Sequence, residues 1–195
     1  MKKILLASVL ALPLVVSAQS LSNGGFELTI PTGPSVGLNF DQDDHFYYGS
    51  PLGPQAGEKF VEFFIDSGAA WVKDQFILAA ATPVKLSFFL ARPSSGAGNP
   101  VDASWSLVVD NTTVASGTVG ALSRDDTWIP MSATTGSLAA GIHTVTFNFT
   151  APDGVGNDLG LDSLSVTAVP EPESYALMLA GLAAVGFLAR RRKGA

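Results

Sequence analysis

Apolar and polar residues alternate along most of the chain between residues 19 and 168. The period is two in 144–150, where Val145, Phe147 and Phe149 are separated by threonine and asparagine, and again in 163–167. Such alternation is typical of a β-strand with one buried face. Further strands are predicted at 60–65, 72–79, 85–90, 104–109 and 113–119. Because Gly, Pro, Ser and Asn clusters separate them, these strands predict an all-β domain built as a two-sheet antiparallel sandwich.

The first eighteen residues follow a different pattern. Lys2 and Lys3 precede an apolar run over residues 4–16, and small residues lead up to Ala18. This order is that of a secretory signal peptide, residues 1–18, with cleavage predicted between Ala18 and Gln19. We therefore expect the sandwich domain, residues 19–168, to be exported.

The last segment, residues 169–195, combines three parts. Pro170 and Pro172 fix the backbone and cannot donate ladder hydrogen bonds, so the preceding sheet is expected to stop before them. An uncharged, apolar run over residues 174–189 follows and predicts a transmembrane helix. Four cations then favour the cytoplasmic side of a membrane: Arg190, Arg191, Arg192 and Lys193.

This three-part tail resembles the PEP-CTERM sorting signal of Gram-negative bacteria. The motif at its start is Val169-Pro170-Glu171-Pro172. The resemblance implies recognition by a membrane-embedded exosortase and a membrane-anchored intermediate at the inner membrane. It also implies delivery to the cell envelope or to an exopolysaccharide-rich extracellular matrix, as in a biofilm. These expectations concern the destination of the protein and leave the activity of its domain open.

The net charge of the predicted exported domain limits the classes of partner that it can bind. Residues 19–168 hold five Lys and Arg against fifteen Asp and Glu, so their net charge is about −10, compared with −6 for the whole chain. A domain this acidic repels nucleic acid and attracts divalent cations. The chain has no cysteine, so disulfides do not contribute to its stability.

The two ends of the domain resemble the galactose-binding-like jelly roll of many carbohydrate-binding modules. The resemblance is carried by Asn23-Gly-Gly-Phe-Glu27 at the start and by residues 159–166 at the end. It implies a jelly-roll fold and a structural calcium ion (Ca²⁺) held in part by Glu27 and Asp162. Carboxylates at strand ends also accept backbone hydrogen bonds without any ion, and this alternative stays open. Two further acidic clusters, 41–44 and 153–158, lie among turn-forming residues.

Aromatic side chains are candidates for a ligand-binding site, because sugars stack on exposed aromatic rings. Tyr47 and Tyr48 lie in a predicted loop, and Trp71 and Trp128 are further candidates. Trp105 alternates with aliphatic residues along its strand, which indicates packing in the core.

The sequence offers little for catalysis. It has two histidines, no cysteine and no G-x-S-x-G motif, so the common nucleophile–base pairs and zinc sites are not expected. We therefore expect no enzymatic activity. The predicted function is structural or adhesive, at the cell surface or in the matrix. A carbohydrate-binding, lectin-like module is the alternative, and a glycan-acting hydrolase is a remote one.

Overall fold

The computed structural model describes residues 21–27, 40–43, 52–65, 68–94, 103–152, 157–169, 179–187 and 190. The chain divides into two units, one of Ser17–Val169 and one of Met1–Val16 with Pro170–Ala195. The predicted signal peptide and its cleavage site at Ala18 and Gln19 lie outside the described residues.

The described part of the first unit contains nine strands and a short 3-10 helix, Val119–Ala121. The strands are β1 (Phe40–Asp43), β2 (Phe60–Ile65), β3 (Gly68–Leu78), β4 (Val84–Ala91), β5 (Ser104–Val109), β6 (Thr112–Thr118), β7 (Ile129–Thr134), β8 (Gly141–Ala151) and β9 (Asn157–Ala168).

The strands form two antiparallel sheets. The five-stranded sheet has the order β1-β2-β9-β4-β7, and the four-stranded sheet has the order β3-β8-β5-β6. The chain changes sheet at most connections, and hairpins within one sheet join only β1 to β2 and β5 to β6. This interleaved order is that of a jelly roll with Greek-key connections. The predicted all-β, two-sheet jelly-roll sandwich is confirmed.

The core lies between the two sheets and follows from the alternation in the sequence. The ring of Phe147 stacks on Phe63 at 5.5 Å and on Trp105 at 5.9 Å between ring centroids. All three side chains are buried, which confirms the predicted packing role of Trp105. Burying a large apolar side chain contributes about 1.5–3 kcal/mol, so these aromatic residues account for much of the driving force for folding.

The acidic stretch 41–44 lies among turn-forming residues, but the structure places its first three residues in a strand. Phe40–Asp43 forms an edge strand that pairs antiparallel with β2, with Asp41 opposite Glu62 and Asp43 opposite Phe60. The edge of β2 supplies backbone partners, and such tertiary pairing overrides the weak local preference of Asp and Gln for turns.

Strand β9 is longer and less regular than its predicted core of residues 163–167. It begins at Asn157, and its pairing with β4 shifts register between Ser87 and Phe89. Opposite this shift, Ser163 has a positive φ of 54°. A β-bulge of this kind changes the direction in which neighbouring side chains point, and here it affects Asp162.

The second unit is described over residues 179–187 and at residue 190, which are helical and exposed. The predicted transmembrane segment, residues 174–189, is therefore only partly covered. Across the described part of the chain, no helix has both the length and the apolar character needed to cross a membrane.

Candidate functional site

Trp128 has a packing role on the outer side of the five-stranded sheet. Its ring meets the edge of Phe60 at 5.6 Å, and its Nε1–H donates a 2.8 Å hydrogen bond to the carbonyl of Gly53. A Cβ at Gly160 would lie 2.9 Å from the same ring, so the ring rests directly on the backbone of β9. With Leu52, these residues form a small second apolar cluster. Packing thus accounts for Trp128 without a ligand.

Trp71 lies in a different environment, on the solvent-facing side of the edge strand β3. Its neighbours in the strand, Ala70 and Val72, point into the core, and the indole is only half-buried. The ammonium group of Lys73 lies 4.3 Å from the ring centroid, a cation–π contact. Trp71 and Trp128 are thus both partly exposed, and Trp71 is the one that lies on the outer side of the four-stranded sheet. Tyr47 and Tyr48 lie outside the described residues.

Short polar side chains continue from Trp71 across the whole sheet. Strand pairing places Trp71 opposite Asn148, Asn148 opposite Ser106, and Ser106 opposite Ser116. The amide of Asn148 donates a 3.3 Å hydrogen bond to Ser106 Oγ. One row thus joins an indole, an amide and two hydroxyl groups over four strands.

Two neighbouring rows repeat this character. One consists of Ala69, Thr150, Ser104 and Thr118, and the other of Lys73, Thr146, Val108 and Thr113. We call the three rows together the hydroxyl face. Most of these side chains are exposed, whereas Thr146 in the centre is only 7% exposed. The alternation that revealed β8 in the sequence also held this signal, in the polar positions Thr144, Thr146, Asn148 and Thr150.

The outer sides of the two sheets differ in charge. No Asp or Glu lies in the hydroxyl face, and Lys73 is its sole charged residue. On the outer side of the five-stranded sheet, Glu62, Asp158 and Asp162 alternate with core residues of β2 and β9. All three of these carboxylates are buried. Among the described residues, the three rows of the hydroxyl face therefore hold no carboxylate, and Asp110 lies beside them, where it accepts the N–H of Thr144 in the next row.

Glu27 and Asp162, the predicted calcium ligands, both face the loop over residues 55–59. Asp162 Oδ2 accepts backbone N–H groups from Gln55 at 2.9 Å and Ala56 at 3.2 Å. Both carboxylate oxygens of Glu27 accept the N–H of Glu58, at 3.0 and 3.1 Å. The structure thus brings the two predicted residues to one loop.

The protonation of Asp162 reflects this environment. Burial raises its pKa, and the nearby carboxylate of Glu27 raises it further, while the N–H groups of Ala56, Ser163 and Gln55 lower it in part. The net shift is upward, so the buried, charged form is stabilised incompletely. In the window between its ordinary pKa and its raised one, stability falls as pH rises, because the folded state binds more protons.

The polarity of the loop does not match that of a calcium site. Calcium takes six to eight oxygen ligands, often including backbone carbonyl groups. Here the loop presents N–H donors to both carboxylates, and these donors occupy the positions where a cation would offset the charge. No group of three or more acidic or histidine residues that could hold a metal occurs among the described residues. The structure therefore supports the alternative left open by the sequence, in which both carboxylates accept backbone hydrogen bonds. Calcium binding stays a prediction.

His143 and Asp110 form an ion pair that the sequence analysis missed. His143 Nδ1 lies 2.9 Å from Asp110 Oδ2, and Nε2 lies 2.9 Å from the carbonyl oxygen of Ala139. Burial lowers the pKa of His143, but the hydrogen bonds to Asp110 and Ala139 and the charge of Asp110 outweigh it and raise the pKa overall. Residues 110 and 143 lie on different strands, so only the strand order of the fold brings them together.

This pair is built for structure and not for proton transfer. Both ring nitrogens of His143 face acceptors, and the side chain is buried against Phe76, 5.4 Å away between ring centroids. A general base needs an accessible lone pair within reach of its substrate, and neither nitrogen offers one.

The folded domain ends firmly at the start of the predicted sorting motif. Val169 donates its N–H to the carbonyl of Pro83 at 2.9 Å, and its own carbonyl accepts the hydroxyl of Thr82 at 3.0 Å. The rest of the motif, from Pro170 to Pro172, lies outside the described residues, as do Arg191, Arg192 and Lys193.

Comparisons with known proteins bear on the tail and on the fold. Residues 168–193 match the family model described as the PEP-CTERM protein-sorting motif, which confirms the resemblance of the tail. A comparison with curated protein sequences gives no match.

Solved structures with a similar fold include a Stig cyclase from Fischerella sp. TAU, 17% identical over 79% of this chain and 99% of the cyclase, with a TM-score of 0.48. TmCBM61 in complex with β-1,4-galactotriose is 17% identical over 76% of this chain and 97% of its own, with a TM-score of 0.45. A family 35 carbohydrate binding module from an environmental isolate is 12% identical over 72% of this chain and 96% of its own, with a TM-score of 0.42. Similarities at this level carry no information about ligand or activity.

Proposed function

We propose that the protein is exported, processed by an exosortase at its PEP-CTERM motif, and delivered to the cell surface or extracellular matrix, where its jelly-roll domain has a structural or adhesive role. The observation that carries this proposal is the match of residues 168–193 to the sorting motif, directly after the last strand. Because β9 ends at Ala168, the motif begins where the folded domain is complete.

The domain itself supports a passive role. It has a continuous aromatic core, and its His–Asp pair has no free lone pair for catalysis. The acidic residues that contact Gln55, Ala56 and Glu58 are used to hold a loop. We therefore propose a scaffold without enzymatic activity of its own.

The sorting proposal is tested in a Gram-negative host by following the full chain, tagged within the domain, with and without an exosortase. We expect the tail to be removed, and the domain to leave the membrane fraction, only when the enzyme is present. Glu171→Ala should block this processing, whereas Glu173→Ala, at the residue that directly follows the Val-Pro-Glu-Pro motif, serves as the matched control. Equal processing in cells without exosortase would refute the proposal.

A second function, carbohydrate binding, is favoured by one specific observation. The hydroxyl face joins a half-exposed indole to rows of hydroxyl and amide groups without any carboxylate. Such a combination of an aromatic ring and convergent polar groups is what a sugar ligand requires. We propose this role as a candidate that is independent of how the protein is sorted.

A further inference from the structure

We propose that the hydroxyl face binds a neutral polysaccharide chain, with the indole of Trp71 as its stacking platform. The proposal rests on the carbohydrate-binding role proposed above and names its surface and its class of ligand. It does not depend on the sorting step.

The chemistry of the face matches that of a sugar chain. A sugar presents hydroxyl groups along its edges and apolar C–H groups on its ring faces. Ser, Thr and Asn side chains both donate and accept hydrogen bonds, and Trp offers a large, rigid apolar surface. The row of Trp71, Asn148, Ser106 and Ser116 brings these groups together on rigid strands.

The position of Lys73 indicates which side of the indole is open. Lys73 is the next outward residue of β3 and its ammonium group lies 4.3 Å from the ring centroid, so we infer that it covers the ring face on its own side. The preceding outward residue is Ala69, which is exposed and has the smallest side chain of the strand's solvent-facing side. A sugar ring stacked on Trp71 would therefore sit on the Ala69 side, above the row that holds Thr150 and Ser104.

The distribution of charge selects a neutral ligand. An anionic polysaccharide would be repelled by a domain with a net charge of about −10. A strongly basic partner would be attracted to carboxylates, and none of those in the described part of the chain lies in the hydroxyl face. Lys73 alone carries charge there, and its ammonium group is already in contact with Trp71.

The extent of the face favours a chain over a single sugar. Adjacent strands lie about 4.8 Å apart and alternate residues about 6.8 Å apart, so three rows across four strands cover roughly 14 Å in each direction. A protein partner fits less well, because protein interfaces concentrate large apolar and aromatic residues at their centre. The centre here is Thr146, Asn148 and Ser106, and the exposed Ile77 and Ile142 lie at one margin.

The test is affinity electrophoresis of the purified full chain in mild detergent, in native gels that contain dextran, mannan, xylan, galactan or mixed-linkage glucan. We expect at least one neutral polysaccharide to retard the protein, and alginate and polygalacturonate to leave its mobility unchanged. Trp71→Ala removes the stacking surface and should weaken binding about tenfold, which corresponds to about 1.4 kcal/mol. Trp71→Phe should keep part of the affinity.

Two further variants separate the binding face from general stability. Ala69→Gln places bulk on the open side of the indole without removing any contact, and it should also reduce binding. Thr150→Ala should weaken binding a few-fold, whereas Thr134→Ala, an exposed threonine on the edge strand of the other sheet, should not change it. Unchanged melting temperatures will show that these variants are folded.

Each other outcome overturns the proposal in a distinct way. Binding that persists in Trp71→Ala and Ala69→Gln would keep a carbohydrate-binding role but place it away from this face. Retardation by the anionic polymers alone would refute the neutral ligand. No retardation by any polymer would refute both the face and the carbohydrate-binding role, while the processing of the tail by exosortase would be unaffected.

Discussion

The side chain of His143 links three parts of the four-stranded sheet through hydrogen bonds and stacking. Its ring nitrogens face Asp110 in the β5–β6 turn and Ala139 before β8, and its ring stacks on Phe76 of β3. Because both nitrogens face acceptors, the protonated imidazole fits this site better than the neutral one.

This geometry predicts a stability that depends on pH. The raised pKa of His143 means that its contribution is fully present below the ordinary value of 6.5 and is lost as pH rises through the raised value. The pKa of Asp110 is lowered, since the bonds to His143 and Thr144 outweigh the effect of burial, so the pair persists to acidic pH. We expect the melting temperature of the wild type to fall as pH rises from about 6.5 into the alkaline range, because the folded state keeps its proton on His143 to a higher pH than the unfolded state does.

The measurement is thermal unfolding followed by circular dichroism across this range. In Asp110→Asn and in His143→Gln the fall should be much smaller, because the pair is gone in both. If the single variants keep the slope of the wild type, another group is responsible for it.

Gly57 shows how one residue allows the carboxylate of Glu27 to approach the loop. Its φ is +75°, and a Cβ there would lie 1.9 Å from Glu27 Oε1. Gly57→Ala should therefore both strain the backbone and displace the carboxylate, at a cost of about 2–3 kcal/mol in unfolding free energy. Gly136→Ala is the matched control, since no atom lies within 4 Å of its Cβ position. Urea denaturation of the two variants checks this, and equal midpoints would contradict it.

At the scale of elements, Trp128 holds the loop that precedes β2 against the outer side of the five-stranded sheet. Trp128→Ala removes its contacts with Phe60 and Gly160 and its hydrogen bond to Gly53. We expect a loss of about 2–3 kcal/mol, because the ring is only partly buried. Trp128→Phe should lose less, since it keeps an aromatic ring. Neither variant should change glycan binding, in contrast to Trp71→Ala.

The loop over residues 55–59 gives a direct test of the calcium prediction. If the N–H groups of the loop alone satisfy Glu27 and Asp162, the melting temperature will be the same in EDTA and in millimolar Ca²⁺. Asp162→Ala should lower it by the same amount in both buffers. A rise with calcium that disappears in Asp162→Ala would instead establish the site implied by the jelly-roll resemblance.

The strands could be predicted from the sequence where one face of the sheet is buried. The edge strand β1 and the bulge in β9 could not be predicted. The alternation in 144–150 and the sequence of β5 determine which side chains face the core, and Ser104–Val109 has its predicted bounds. Strand β1 could not be predicted because it depends on pairing with β2, which lies far along the chain. The bulge beside Asp162 was equally hidden, because it depends on the register between β4 and β9.

The candidate sites show the same limit. Trp71 and Trp128 are alike in sequence, and only the fold shows that one packs on Phe60 while the other stands beside Asn148. The resemblance to a family predicted a shared calcium ion for Glu27 and Asp162, and the structure places both carboxylates at the loop over residues 55–59. The structure shows that backbone N–H groups, and not carbonyl groups, face these carboxylates. This polarity depends on the backbone conformation of the loop, which cannot be predicted from residue patterns.

In the domain as a whole, the outer sides of the two sheets differ in how far they are covered. The outer side of the five-stranded sheet is covered by Trp128, Leu52 and the loop held by Glu27 and Asp162. The four-stranded sheet instead presents the hydroxyl face. The chain therefore stabilises one side of the sandwich internally and leaves the other side available to a partner.

The place of β9 in the fold determines how the domain responds to force. The chain leaves β9 at Val169 towards the sorting tail, and β9 lies between β2 and β4, paired with both. Tension applied to the chain at Val169 is therefore transmitted first to this strand. Two ladders of hydrogen bonds must shear together before the strand moves, whereas an edge strand pulled sideways would unzip one bond at a time. If the domain is held through its C-terminal end before or after processing, this central strand makes its point of attachment resistant to a pulling force.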